Sequence, residues 1–244
     1  MHRQACLRCR EQQPMYDEDF GGPYVPPERT RATRMFPARS RASARGFLAA
    51  KLRAQAAWRQ LIFESHLERK CLLVLLSQHG VVDIWDQPPQ ITYRNQDGKL
   101  KPHTFDFLAT LDDGKRIAIA VKPDGLVERN GFGREFALIR AQTAKQFADD
   151  ALLVTDSSFS AAEVRNAELL HMFRQVEDAE ADAAVQQVLR GMNREMSLGQ
   201  VVAATCLEGR AFRAGFKAIF NGTAMTNLTV PVTEASMLST PEVR

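Results

Sequence analysis

The stretch HTFDFLATLDDGKRIAIAVKP, from His103 to Pro123, allows few folds. Asp112, Asp113 and Gly114 form a turn signal between two runs rich in β-branched and aromatic residues. The spacing predicts a strand over 104–111 and a second over 116–122. Side chains alternate between the two faces of a strand, so Ile117, Ile119 and Val121 share one face and Ala118, Ala120 and Lys122 the other. By the same count Phe105 and Phe107 share a face and leave Asp106 opposite. A hairpin of this kind carries a carboxylate and an ammonium on neighbouring strands.

That pairing has a chemical use. Metal-dependent hydrolysis of a phosphodiester needs an activated water and neutralised charge on the phosphate; Mg²⁺ or Mn²⁺ supplies both and takes hard oxygen ligands. Nucleases of this type set one carboxylate, one further acceptor and one lysine around the scissile phosphate. A lysine two residues after the strand acceptor lies on the same face and can orient the water or stabilise developing charge. Asp106 and Lys122 fit two of these parts, but Ala120 stands at the acceptor position, and a methyl group holds neither metal nor water. Upstream, Glu64 and Glu68 lie four residues apart, on one face of an expected helix.

The expected elements run helix, strands, helix, strand, which argues for an α/β sandwich. Helices are expected over 47–58, where alanine is frequent, and over 65–78, ended by Gly80. Strands are expected over 81–85, 90–93 and 151–155, a polar loop over 125–133, and helices over 134–147, 161–175 and 179–192. The segments 197–205 and 209–220 then read as short helices, followed by a hairpin or strand over 225–232. Helix, helix and wing is the outline of a winged-helix module, for which a small helical cap would give a similar pattern. The expected units are therefore a basic arm over 1–45, a first domain over 46–175, a small second domain over 176–232 and a featureless tail over 233–244.

Charge separates the arm from the body. Residues 1–60 hold 12 Lys and Arg against 5 Asp and Glu, or +7, while the remainder hold 20 against 24, or −4, which together give the net +3. A basic arm suits a polyanion such as nucleic acid, and equally a solvated tail. Cys6 and Cys9 have the spacing of half a zinc site, without a second pair at zinc-finger distance. Cys71 sits in an apolar run and reads as core. Nothing points to disulfides, so a reducing cytoplasm fits, and no apolar run is long enough to cross a membrane. Trp85, Phe105 and Phe107 read as core, and Gln87 as either a turn residue or a hydrogen-bonding group near the hairpin. Gln142 and Lys145 are expected on one face of the helix after Lys122, and Arg210, Arg213 and Lys217 as a basic stripe; both sets are candidate DNA contacts or plain exposed faces.

Four segments carry a family resemblance: FESHLER at 63–69, VDIWDQP at 82–88, TFDFL at 104–108 and AVKP at 120–123. In order and spacing they resemble the signature of the TnsA endonuclease family. The resemblance implies a restriction-endonuclease-like PD-(D/E)xK domain followed by a winged-helix-like C-terminal domain. It implies cleavage of the 5′ ends of a transposon with Mg²⁺ or Mn²⁺ in a bacterial cytoplasm. A TnsB-like DDE transposase, a TnsC-like AAA+ ATPase and transposon-end DNA are the implied partners. It selects Glu68 over Glu64, from its Ser-x-x-Glu context, and assigns Glu68 and Asp106 to the metal, with Lys122 beside the water. The family carries Glu or Gln two residues before that lysine, so Ala120 implies impaired cleavage. An inactivated variant, a natural pseudo-nuclease kept for assembly, or a substitute acid at Glu135 would each account for it. A non-catalytic DNA-binding or assembly subunit, or a stand-alone nuclease, would use the same fold.

Overall fold

The computed structural model describes residues 25–33 and 44–241. Cys6, Cys9 and most of the basic arm lie outside the described residues. A hairpin of β1 (Gly46–Ala50) and β2 (Arg59–Phe63) leads into α1 (His66–Ser77) and β3 (Val81–Asp86). A second hairpin, β4 (Ile91–Arg94) and β5 (Leu100–His103), precedes β6 (Phe107–Leu111) and β7 (Arg116–Val121). Helices α2 (Asp124–Asn130) and α3 (Phe132–Gln142) then cross to β8 (Asp150–Val154). The remainder is α4 (Ala161–Phe173), α5 (Ala179–Arg190), the short β9 (Met196–Ser197), α6 (Leu198–Thr205), α7 (Glu208–Phe220) and the short β10 (Met237–Leu238).

The central sheet has the order β3-β6-β7-β8, antiparallel except for the parallel pair β7 and β8. One face packs on α1, where Leu67, Cys71, Leu72 and Leu76 meet Ile84, Phe107, Ala109, Ile119 and Val121. The other packs on α3, where Phe136 and Ile139 meet Leu108, Ala118, Ala120 and Ala151. This is the expected α/β layering, and it arises because β6 and β7 bury both of their faces.

Four local expectations are corrected. Residues 47–58 are not a helix: β1 pairs with β2 from Gly46 opposite Phe63 to Ala50 opposite Arg59. The alanines favour helix only weakly, and burial of Ala50, Leu61 and Phe63 in the pairing outweighs that preference. The polar segment 125–133 is mostly helical, with the left-handed Gly131 separating α2 from α3. Helix α1 ends at Gln78, whose N–H donates to Leu75 O, before Gly80 is reached. The stretch 28–33, assigned to the loose arm, is docked. Glu28 bonds along β2, Arg31 pairs with Asp83, and Thr33 donates to Gln87 O.

A second apolar core, around Val185, Leu189, Leu198, Val201, Phe216 and Leu238, is built by α4 to α7 and the last strand. Leu170 of α4 enters it, while Arg174 reaches back to donate to Leu76 O and Lys51 O. The boundary expected at residue 175 thus follows a helix shared between the two cores. Residues 225–232 form only an isolated bridge, Met225 with Ser239, and the stretch expected to be a featureless tail supplies β10 as the partner of β9. The reason is Asn166, buried in α4, whose amide bonds Leu228 O, Val230 O and Val232 N and takes the place of a strand neighbour.

His171, buried on α4, is held neutral chiefly by burial, then by the charges of Arg174 and Arg69, and its pKa falls to about 4. An unfolded histidine takes up a proton from about pH 6.5, so stability is lost as pH falls from there toward the folded value. The loss from His171 should be about 1–2 kcal/mol after solvent screening, read from urea unfolding near neutral and mildly acid pH. His171→Gln should flatten that dependence, and an unchanged pH profile in the variant overturns the assignment.

Candidate active site

The backbone at Asp106 departs from regular pairing. Phe107 stands opposite Ile119, yet the Asp106 N–H also donates to Ile119 O at 2.8 Å. Two residues facing one is a β-bulge, and it breaks the alternation of faces. Phe105 consequently packs on the α3 side and Phe107 on the α1 side, not on a shared face as expected. Asp106 comes close enough to Cys71 of α1 for its charge to raise that thiol, and its Oδ2 accepts from Val121 N–H at 2.7 Å.

Glu68 meets the same thiol from the first turn of α1. Burial first, then Asp106 and then Glu68, pushes the Cys71 pKa up. Ser65 caps this helix, accepting from Glu68 N–H at 3.1 Å and donating its hydroxyl to Glu68 Oε1 at 3.0 Å, while Glu64 N–H donates to Oε2 at 2.6 Å. These local bonds hold the carboxylate in one orientation. Glu68 and Asp106 both lie close enough to Cys71 for their charges to act on it. Glu64 contributes its backbone N–H to Glu68 there.

Lys122 follows Val121, the residue that bonds the Asp106 carboxylate, and its own N–H donates to Val154 O at 3.0 Å. Its ammonium lies 4.8 Å from the centre of the Phe132 ring, a cation–π contact on the α3 side. His103 is held neutral there, its pKa lowered to about 4 first by burial and then by Lys122. Ala120, at 1% exposure, is packed in the α3 core. Glu135, the substitute acid, accepts from the Tyr93 hydroxyl and lies 3.8 Å from Lys101 Nζ. Burial and then that hydrogen bond push Tyr93 up to about 12. Glu135 thus belongs with His103 and Tyr93 and not with the carboxylates at Cys71. Among the described residues, no group of three or more His, Cys, Asp or Glu is arranged to hold a metal ion.

The candidate DNA contacts are differently placed from their expectation. Helix α3 stops at Gln142, so Lys145 lies in the following turn and shares no helical face with it. The Gln142 amide ties α3 to β4, accepting from Arg94 N–H and donating to Arg94 O. Arg210, Arg213 and Lys217 do share a face of α7, but they answer the acidic start of α5. Arg210 forks onto Asp178 at 2.8 and 2.7 Å and reaches Glu180, Arg213 lies 3.7 Å from Asp178, and Lys217 lies 2.7 Å from Asp182. The stripe is neutralised inside the fold.

Gln87 carries more than its place in the sequence suggests. Gln87, at 1% exposure, follows β3 with a φ of 47°, and neither atom of its side-chain amide has a hydrogen-bond partner. The Gln-Pro pair after a strand was the only signal of it in the sequence.

Residues 78–168 match the family model described as "TnsA-like endonuclease N terminal". The match runs from the end of α1 into α4 and includes Asp106, Ala120 and Lys122; Glu68 precedes it. No curated protein matches the chain.

The ion pairs of α7 yield a direct check. The Arg210 fork and a backbone N–H hold Asp178 down at about 2, so its contribution is present above the ordinary carboxylate range and lost as pH falls toward 2. Arg210→Ala should destabilise the fold by about 1 kcal/mol in chemical unfolding and leave the salt dependence of DNA binding unchanged. A shallower salt dependence with intact stability would return Arg210 to the DNA interface.

Proposed function

We propose, from this chain's membership of the TnsA endonuclease family over residues 78–168, that it is the DNA-cleaving subunit of a cut-and-paste transposase. It acts on the 5′ ends of the element, beside a TnsB-like DDE transposase and with a TnsC-like AAA+ ATPase as a further partner. The observation that carries this reading is the match of residues 78–168 to the TnsA-like endonuclease model, with Asp106 and Lys122 inside it. Two carboxylates suit Mg²⁺ or Mn²⁺ in donor chemistry, and the unpartnered buried atoms of Asp86 and Gln87, next to the Asp106 strand, are groups a hydrated cation would engage.

Glu68 and Asp106 are the residues that would hold the cation. When bound, it would polarise the phosphate and make an attacking water more acidic. Glu68 is oriented by the α1 cap and Asp106 by Val121 N–H, so neither needs to reorganise. Lys122, at the end of β7, is the group available to stabilise charge on the phosphate. Ala120 offers nothing at the position where the family carries Glu or Gln, and the absence of one such group lowers the rate by about 10²–10³. The C-terminal unit supports a winged-helix-like arrangement, since α5, β9, α6 and α7 are followed by the Met225–Ser239 and β9–β10 pairings.

A second reading, a DNA-binding or assembly subunit without cleavage, is favoured by one observation. Ala120 is closed into the core with Leu108, Phe136 and Ile139, so the site has been sealed at that position and not left as an open gap.

Ala120→Gln separates the two. With partner transposase, transposon-end DNA and Mg²⁺, it should raise nicking by about 10²–10³. The larger side chain should cost about 1–3 kcal/mol of stability. Asp106→Ala on that background should return nicking to baseline. Equal nicking with and without Asp106 sinks the proposed site, and no gain from Ala120→Gln in a folded protein favours the assembly reading.

A further inference from the structure

Gln87 is a buried amide without partners, set in strained backbone, directly across from Asp106. Burying an amide without hydrogen bonds costs about 1–3 kcal/mol, and folded proteins keep such groups where a water, ion or ligand meets them. Its φ of 47° adds strain that a side chain other than glycine rarely bears. Two contacts hold it there: Thr33 N–H and Thr33 Oγ1 both donate to Gln87 O at 3.0 Å.

Its place gives the amide a role. In the β3–β6 pairing Asp86 stands opposite Phe107, and the Gln87 N–H continues that register by donating to Asp106 O at 2.9 Å. Asp106 therefore has β7 on one side, where Val121 N–H meets its carboxylate, and the Gln87 backbone on the other. A glutamine oxygen is a neutral, hard ligand for Mg²⁺ or Mn²⁺, and its NH₂ can donate to a phosphate oxygen.

We propose that Gln87 supplies, from β3, the neutral carboxamide that β7 lacks at Ala120, and that it binds the divalent cation together with Asp106. This rests on the reading of Glu68 and Asp106 as a cation site. Gln87 would thus be a ligand recruited from the opposite neighbour of the same aspartate.

Mn²⁺ titration of the full chain by calorimetry, with the apo melting temperature as a second readout, tests it. Gln87→Met keeps the length and removes the unpartnered atoms, so the apo protein should melt no lower than the parent. Its Mn²⁺ affinity should fall by about 10–100-fold. Gln87→Asn tolerates positive φ better and shortens the reach; it should also fold and bind Mn²⁺ more weakly. Affinities within about twofold of the parent in both variants overturn the assignment. Asp106→Ala tells the two failures apart. If it abolishes binding while both Gln87 variants retain it, only Gln87 is wrong. If it too leaves binding intact, or the parent takes up no Mn²⁺, the carboxylate site falls as well.

Discussion

Ile119 offers one carbonyl to a strand that presents two residues, Asp106 and Phe107, and much of the candidate site follows from that bulge. Phe107 fills the α1 core, and the Asp106 carboxylate accepts from Val121 N–H. The strand expected over 104–111 is shortened to β6, and β5 pairs with β4 in a separate hairpin. Bulges at the ends of paired strands commonly re-aim a side chain in this way.

The surroundings of that carboxylate pair are unevenly satisfied. Glu68 is tied to the start of its own helix, and Asp106 to the backbone of β7. Asp86 accepts from Thr30 and Ile62 with one oxygen and leaves the other without a partner, as Gln87 does with its whole amide. Lys122 lies over the Phe132 ring near His103, and Tyr93 and Glu135 bond one another beside Lys101. Ala120 is packed between β7 and α3.

Electrostatics in the C-terminal unit serve cohesion. The basic face of α7 and the acidic first turn of α5 neutralise one another, and Arg174 links this unit to α1 by donating to two carbonyls. Such pairs in part-exposed positions contribute modestly one by one but fix the register of two helices. The basic arm at 1–45 thereby becomes the stronger candidate for contact with a polyanion on charge alone.

The α/β class, the amphipathic helix at 66–77, the turn at 112–114 and the family of the central segment were legible in the sequence, because periodicity, caps and short motifs are local signals. The β1–β2 hairpin was hidden, since its alanines favour helix and only distant pairing reverses that preference. Pairing of residue charges across α5 and α7 was hidden for the same reason: a stripe of arginines looks free until the acids facing it are known. The sequence by itself marked Glu68, Asp106 and Lys122 as candidates for chemistry and Ala120 as a side chain unable to hold a metal. Only the tertiary structure decided which of them meet, because a single extra residue in a strand reverses the face of a side chain, and alternation counted along the chain cannot foresee it.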